Sequence, residues 1–335
     1  MRILILGGGV FVGRALTEAA TFRGHEVTTF TRSTLPPGVS DGLVEAIFGD
    51  RTDPSAFDFA SRRRWDAVFD TWWGAPRIVQ HSVKNLRRHA SYYSYVSSGA
   101  VYQADPLPLG INEDFQTVEA DPSAELGDYS ANKRGAELAI LEGFGPDASL
   151  LARPGLILGP YEWPARLPWW LNRIAQGGEV MAPGPTDLSL QYIDVRDLAE
   201  WMVQCAEDSI AGVFNAISPG GHANMSEMLE GCKVTTHSNA HFTWVPPDFV
   251  LAHGIRPVFD MPLWITPAMH GLYGFDTSRA ALEGLSCRPM IETIADTWAI
   301  MQTGNQSFLP VGLTAPGIST EKEKEVLAAW ADQDH

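Results

Sequence analysis

Residues 2–33, RILILGGGVFVGRALTEAATFRGHEVTTFTRS, constrain the fold more than any other part of the chain. Ile3 to Leu6 is a short apolar run, suited to a strand buried on both faces. Gly7-Gly8-Gly9 stops it. Arg14 to Arg23 then has helical content, and Gly24 suits the residue after a helix end. Val27 to Thr31 is a second strand, β-branched and apolar. A glycine turn between a strand and a helix lets the backbone approach a pyrophosphate closely, and the helix N-terminus offers it N–H groups and a positive dipole. The spacing is Gly7, Val10, Gly13, so valine replaces the middle glycine of a G-x-x-G-x-x-G. In this strand–turn–helix–strand setting the motif predicts a dinucleotide site. A tight turn without a ligand is the bland reading.

The alternation continues. Residues 43–50 (LVEAIFGD), 65–73 (WDAVFDTWW) and 91–102 (SYYSYVSSGAVY) read as a third, fourth and fifth strand, with a helix over 77–89. Such alternation predicts an α/β fold, a Rossmann-type doubly wound parallel sheet covered by helices on both faces. Its ligands bind at the carboxyl ends of the strands. The expected organisation is a nucleotide-binding domain over 1–155, rejoined by 187–220. A smaller C-terminal substrate-binding lobe and a terminal helix occupy 156–335. The end of the second strand bears on cofactor choice. An acid there holds the ribose 2′-OH of NAD(H), whereas an arginine accommodates the 2′-phosphate of NADP(H). The chain reads Thr31-Arg32-Ser33, which favours NADP(H) and leaves NAD(H) as the second choice. An exposed loop arginine is the alternative for Arg32.

One Tyr-x-x-x-Lys occurs, Tyr129 and Lys133, on a helical stretch after the fifth strand. Positions i and i+4 share a helix face. A lysine ammonium beside a tyrosine favours tyrosinate and is expected to lower its pKa, so the pair can exchange a proton with a carbonyl or alcohol. Ser97 and Ser98, at the carboxyl end of the fifth strand, are candidates to hold the substrate oxygen, or else bond to a turn.

The glycine turn with Phe11 and Gly13, VSSGAVY, Tyr129-x-x-x-Lys133, RPGLILGP, QYIDVRDLAEWM and DTSRAALEGLSCRPMIETIADT, in that order, resemble the extended short-chain dehydrogenase/reductases. These form the NAD-dependent epimerase/dehydratase family. GGEVMAPG and the tail GLTAPGISTEKEKEVLAAW resemble a bacterial branch labelled 2′-hydroxyisoflavone reductase-like. The resemblance implies Tyr129 as general acid/base. Lys133 would bind the nicotinamide ribose and tune Tyr129, and Ser98 would hold the substrate oxygen. Gly7, Gly9, Val10, Phe11, Val12 and Gly13 would line the pyrophosphate. Arg32 would take the adenosine phosphate, and Asp50 and Arg51 the adenine. Thr71 and Trp72 would flank the cofactor, and Pro154 and Gly155 would pass near the nicotinamide. Nucleotide-sugar members commonly carry an asparagine where this chain reads Arg153-Pro154-Gly155-Leu156, which argues against a UDP-sugar substrate.

Residues 159–187 are rich in Pro, Gly and Trp around a helix expected over 167–176. Trp73, Trp163 and Trp169 either line a pocket for a flat or apolar carbonyl compound or pack lobe against lobe. Arg166 either faces an anionic or polar substrate group or is salt-bridged. A Thr320…Glu323 capping box is expected to open the terminal helix.

Composition removes other classes. The formal net charge is −16, the wrong sign for a protein that lives on phosphate backbones, so no nucleic-acid partner is expected. Arg62-Arg63-Arg64 and Arg87-Arg88 fall where helices are expected to end, where cations suit the helix dipole. Three scattered cysteines and nine histidines show no metal spacing and no disulfide framework. No apolar run suggests a membrane span and no signal layout opens the chain, so the cytoplasm is the expected location. The expected function is NADP(H)-dependent oxidation or reduction of a small-molecule alcohol or carbonyl, by a monomer or homodimer. Two rivals remain: an epimerase or dehydratase with tightly held NAD(P), and a non-catalytic NAD(P)-sensing or RNA-associated scaffold.

Overall fold

The computed structural model describes residues 1–32, 35, 38, 39, 42–53, 55–304 and 315–333. Ser33 and the start of the quoted tail, residues 312–314, lie outside them. The strands are β1 (Arg2–Leu6), β2 (Glu26–Thr31), β3 (Val44–Phe48), β4 (Ala67–Asp70), β5 (Tyr93–Val96), β6 (Ser149–Ala152), β7 (Leu156–Leu158), β8 (Glu179–Pro183), β9 (Ser189–Leu190), β10 (Tyr192–Asp194), β11 (Gly212–Phe214), β12 (Ala223–Asn224) and β13 (His241–Val245). The α-helices are α1 (Val12–Phe22), α2 (Pro76–Leu86), α3 (Tyr129–Phe144), α4 (Arg166–Ala175), α5 (Val195–Glu207), α6 (Met225–Thr235), α7 (Pro247–Ala252), α8 (Ser278–Leu282), α9 (Met290–Gln302) and α10 (Thr320–Ala331).

Seven strands form one parallel sheet in the order β11-β6-β5-β4-β1-β2-β3. The order reverses between β1 and β4, which makes their carboxyl ends the switch point where ligands bind. β1 shows why both faces must be covered. Ile3 and Ile5 enter one core with Leu16 of α1 and Leu198 and Met202 of α5. Leu4 and Leu6 enter the opposite core with Val79 and Val83 of α2 and Ala136 and Ile140 of α3. Side chains alternate across a strand, so a run of apolar residues requires apolar partners on both sides. α5 and β11 thus return to the sheet after the chain has left it.

The smaller lobe has its own core. α4 supplies Leu167, Trp170, Leu171 and Ile174, β8 supplies Val180 to Ala182, and α6, α9 and α10 close around them. Trp170 Nε1 donates to Pro262 O at 2.7 Å and Trp264 Nε1 to Gly184 O at 2.8 Å, so both buried indoles are satisfied. α10 is capped by Ser319, whose side chain accepts from the Lys322 amide at 3.2 Å. The cap therefore lies one residue before the expected Thr320, and no box forms, because the third helical residue is Lys322, whose ammonium cannot accept a hydrogen bond. Glu323 serves elsewhere, accepting from the Met181 amide at 3.0 Å and pairing with Arg173. Among the described residues no helix is long and apolar enough to cross a membrane.

Candidate functional site

The glycine turn sits at the switch point. Gly7 has φ +101°, and a Cβ there would lie 2.6 Å from Thr71 Oγ1. Thr71 follows β4 and is tied back by its hydroxyl to Leu6 O at 3.2 Å. A Cβ on Gly13 would lie 1.8 Å from Gly7 O, so only glycine lets α1 start this close to β1. Phe11 turns the chain into α1 at φ 43° with its ring buried. Val10 is 56% exposed, and its side chain stands outside the turn. Among the described residues the amides of Gly9, Val10, Phe11 and Val12 donate to no protein acceptor. Four open N–H groups at a helix N-terminus, next to backbone that tolerates no side chain, fit a pyrophosphate.

The positions expected to meet the adenosine are built differently from one another. Arg32 is exposed just past β2. Asp50 accepts from the Thr52 amide at 2.9 Å and hydroxyl at 2.8 Å, and these bonds, with the Arg32 charge, hold its carboxyl below the usual range. Arg51 is committed inward. Its fork meets both Asp70 oxygens at 2.7 Å, donates to Ser82 Oγ at 2.6 Å and lies over the Trp72 ring. Burial alone would push the Asp70 carboxyl up, but Arg51, the Tyr93 hydroxyl and the Trp72 amide hold it down.

The proposed catalytic groups converge across β4, β5 and α3. Ser98 follows β5 and caps a short 3-10 turn, Gly99–Val101, by accepting from the Ala100 amide at 3.2 Å. Its hydroxyl lies close enough to the Tyr129 side chain to lower that residue's pKa. Ser97 turns inward and donates to Glu137 at 2.6 Å, where Arg153 pairs with the same carboxylate. The two serines therefore divide into one that packs and one that faces the cleft. Lys133 is buried. Its ammonium donates to Val96 O at 2.6 Å and Trp72 O at 2.7 Å, at the ends of β5 and β4. Burial lowers its pKa to about 7 against the opposing charges of Asp70 and Glu137.

Tyr129 departs from expectation. Its pKa is raised, with burial the largest cause, while the Ser98 hydrogen bond and the Arg166 charge pull it down. Lys133 lies 6.0 Å from the Tyr129 ring centroid and is held by main-chain carbonyls, so the lysine does not depress the tyrosine here. About half of the residue's surface is nonetheless open to solvent, so the upward push of burial is a weak one.

Pro154 O accepts from the Gly99 amide at 2.8 Å, which lays the Pro154-Gly155 segment beside Ser98. A Cβ on Gly155 would lie 2.2 Å from Ile217 Cδ1. The tryptophans separate. Trp73 is about half exposed after β4. Trp163 packs against the sheet core that contains Phe11 and Val195. Trp169 lies edge-on to Trp170 at 4.6 Å, and a Cβ on Gly317 would lie 1.9 Å from its Nε1. Arg166 opens α4 and pairs with Glu162 at 3.0 Å. Burial pushes the Glu162 carboxyl up, partly offset by Arg166 and two helix amides.

Three contributors were not singled out from the sequence. Asn132 clamps Gly127 through both its main-chain groups, at 2.9 and 3.0 Å, and so sets the approach to Tyr129. Its place inside the Tyr-x-x-x-Lys turn was the available signal. Glu162 stands four residues before Arg166, a helix-type spacing in a segment that is not yet helix. Arg14 lies 3.7 Å over the Tyr161 ring, joining α1 to the loop after β7. Only the folded chain reveals that contact.

Comparisons with known proteins identify the family and the fold. The family model described as the NAD dependent epimerase/dehydratase family matches residues 3–216. The 2-alkyl-3-oxoalkanoate reductase of Stenotrophomonas maltophilia is 31% identical over 248 residues, covering 66% of this chain and 67% of that protein. The chloroplast stem-loop binding protein of 41 kDa b of Arabidopsis thaliana is 28% identical, covering 59% of this chain and 53% of that one. Among solved structures, the UDP-glucose 4-epimerase of Bifidobacterium longum in complex with NAD+ and UDP superposes with a TM-score of 0.64 at 18% identity. That match covers 91% of this chain and 99% of the epimerase, a likeness of fold. With the family pattern running from β1 through β11, the chain belongs to the NAD-dependent epimerase/dehydratase family.

Proposed function

We propose that this chain is an NADP(H)-dependent oxidoreductase that reduces a carbonyl, or oxidises the matching secondary alcohol, of a small molecule. The observation that carries the reading is the gathering of Ser98, Tyr129 and Lys133 at the carboxyl ends of β4 and β5, next to the open glycine turn. The 2-alkyl-3-oxoalkanoate reductase relative supports carbonyl chemistry.

Gly9, Val10, Phe11 and Val12 would hold the pyrophosphate through open amides, and Gly7 and Gly13 would let it approach by carrying no side chain. Arg32 would pair with an adenosine 2′-phosphate, and Asp50 and Thr71 would border the adenosine and the sheet end. Arg51 supports this wall from behind, through Asp70 and Trp72. Pro154 and Gly155 would border the nicotinamide, and Trp73, about half exposed after β4, the substrate side, whereas Trp163 and Trp169 pack into the two lobes. When bound, the cofactor supplies or accepts the hydride. Ser98 holds the substrate oxygen, and Tyr129 gives that oxygen its proton in reduction or removes it in oxidation. Lys133 pins the ends of β4 and β5 together and offers its remaining proton to the ribose. A cytoplasmic monomer or homodimer fits this role.

A second reading is an epimerase, favoured by the family and by the structural likeness to UDP-glucose 4-epimerase. One experiment separates them. Purified protein is titrated with NADPH and NADH, then given a panel of carbonyl compounds. The reductase reading expects tighter NADPH binding that weakens in Arg32→Ala, and NADPH consumption that disappears in Tyr129→Phe. Copurifying cofactor with no net consumption would favour epimerisation. Salt-sensitive RNA binding without turnover would instead favour a scaffold.

A further inference from the structure

The cleft contains one cationic edge that the protein itself leaves unused. Ala165 enters α4 in a left-handed conformation, φ 57°, which a non-glycine residue rarely adopts. Arg166 follows as the first helical residue. The Glu162 side chain, 0% exposed, receives Arg166 Nη1 at 3.0 Å, the Arg166 amide at 3.1 Å and the Leu167 amide at 3.2 Å. Arg166 Nη1 also donates to Ile157 O at 3.3 Å. These bonds fix the guanidinium by one nitrogen. Among the described residues Nε and Nη2 donate to nothing, and the side chain remains 23% exposed. Those two nitrogens form an edge of the planar fork, the edge that grips a carboxylate with two parallel hydrogen bonds.

Arg166 is tied to the segment that runs past Ser98. Ile157, which accepts from Arg166, is the centre of β7. The chain entering β7 is bonded at Pro154 to Gly99, the neighbour of Ser98. The Arg166 charge is also felt at the Tyr129 hydroxyl. A buried Glu162 that already accepts three donors leaves Arg166 the group with spare bonding capacity.

We propose that the Nε–Nη2 edge of Arg166 binds a carboxylate on the substrate while Ser98 and Tyr129 hold its carbonyl, so that the chain selects oxo acids over neutral ketones. This rests on the reductase reading above. A neutral ester of the same length fills the same space but gives the edge no charge-assisted partner. Hydrogen bonds to charged groups contribute about 1.5–3 kcal/mol, roughly 10- to 100-fold.

The test uses the full chain with NADPH, a 3-oxo acid and its methyl ester. Wild type is expected to favour the acid by about 10-fold or more in kcat/KM, mostly through KM. In Arg166→Gln the acid-to-ester ratio is expected to fall to about 1, and Arg166→Lys, which keeps charge without the fork, to fall between. Thermal melting and NADPH binding of each variant report that it is folded. A wild-type ratio near 1, or a ratio unmoved by Arg166→Gln, overturns the proposal. If wild type reduces neither compound, the reductase reading fails and calorimetry with the same acid on cofactor-loaded protein decides the anchor. Acid binding weakened about 10-fold by Arg166→Gln upholds it, and absent or unweakened binding overturns it.

Discussion

Lys133 is the residue on which local chemistry and stability meet. It carries a buried ammonium bonded to two main-chain carbonyls, and burial brings its pKa from the ordinary 10.5 to about 7. The sign follows from linkage. Between about pH 7 and 10.5 the unfolded chain holds this proton and the folded chain does not, so the lysine's contribution to stability rises with pH across that window. Below pH 7 the charge is buried at full penalty. Lys133→Met, which removes the titration, is therefore expected to compare best with wild type at low pH. Its stability relative to wild type should decline as pH rises from about 6 to 10, read from urea unfolding midpoints. A difference that does not change with pH would show that the lysine titrates alike in both states. Tyr129→Phe belongs to the same scale. It removes the group proposed to move the proton, and on that proposal turnover is expected to fall about 10²- to 10⁴-fold with cofactor affinity nearly intact. The sequence pointed to Tyr129, Lys133 and Ser98 because residue type and helical spacing are local properties. It did not reveal that Lys133 spends two bonds on Trp72 and Val96, because those carbonyls come from strands 61 and 37 residues away.

At the scale of elements, the strands and helices of the nucleotide-binding half were legible because each apolar run must be buried on both faces of a covered sheet. Their ends were less so. The fifth strand was expected over 91–102, but β5 stops at Val96 because Ser98 caps a 3-10 turn that swings the chain across the cleft. The expected fourth strand, 65–73, ends at Asp70, where the carboxylate accepts the Trp72 amide and turns the backbone. Side-chain capture of local amides ends both strands, and it competes with sheet pairing in a way that apolar pattern does not report. The β1–α1 connection yields a prediction at this scale. Gly13→Ala places a methyl 1.8 Å from Gly7 O, a backbone atom that moves only if α1 shifts. Overpacking of this kind costs about 1–3 kcal/mol. The same shift displaces the open amides, so NADPH affinity is expected to fall more than stability does. Gly231→Ala in α6 is the control, since its methyl meets only the side-chain ends of Ile294 and Ile291, in the small lobe away from the turn. Equal losses of affinity in the two variants would contradict the pyrophosphate assignment.

At the scale of the whole molecule, the small lobe has a core separate from those on the two faces of the sheet, and that core is sealed from the far end of the chain. α10 sends Glu323 into the small lobe, where it pairs with Arg173 of α4 and accepts from the Met181 amide of β8 at 3.0 Å. Both side chains are largely buried. Arg173 also donates to Gly177 O at 3.2 Å, so one guanidinium links α4, the turn after it and the terminal helix. The sequence points to an amphipathic terminal helix that is expected to pack on its own chain rather than on a partner, but not to the surface it takes. The choice depends on a partner 150 residues away. Removing one member of a buried pair strands the other, at a cost of about 3–5 kcal/mol. Glu323→Ala is therefore expected to loosen the small lobe selectively, because the sheet domain has its own core and no share in this pair. Urea unfolding followed by tryptophan fluorescence should show an early transition, since Trp169, Trp170, Trp264 and Trp330 all lie in or against the small-lobe core. NADPH binding should persist through it. A single transition, shifted as a whole and carrying NADPH binding with it, would instead mean that the two cores unfold as one unit and that α10 stabilises the entire enzyme.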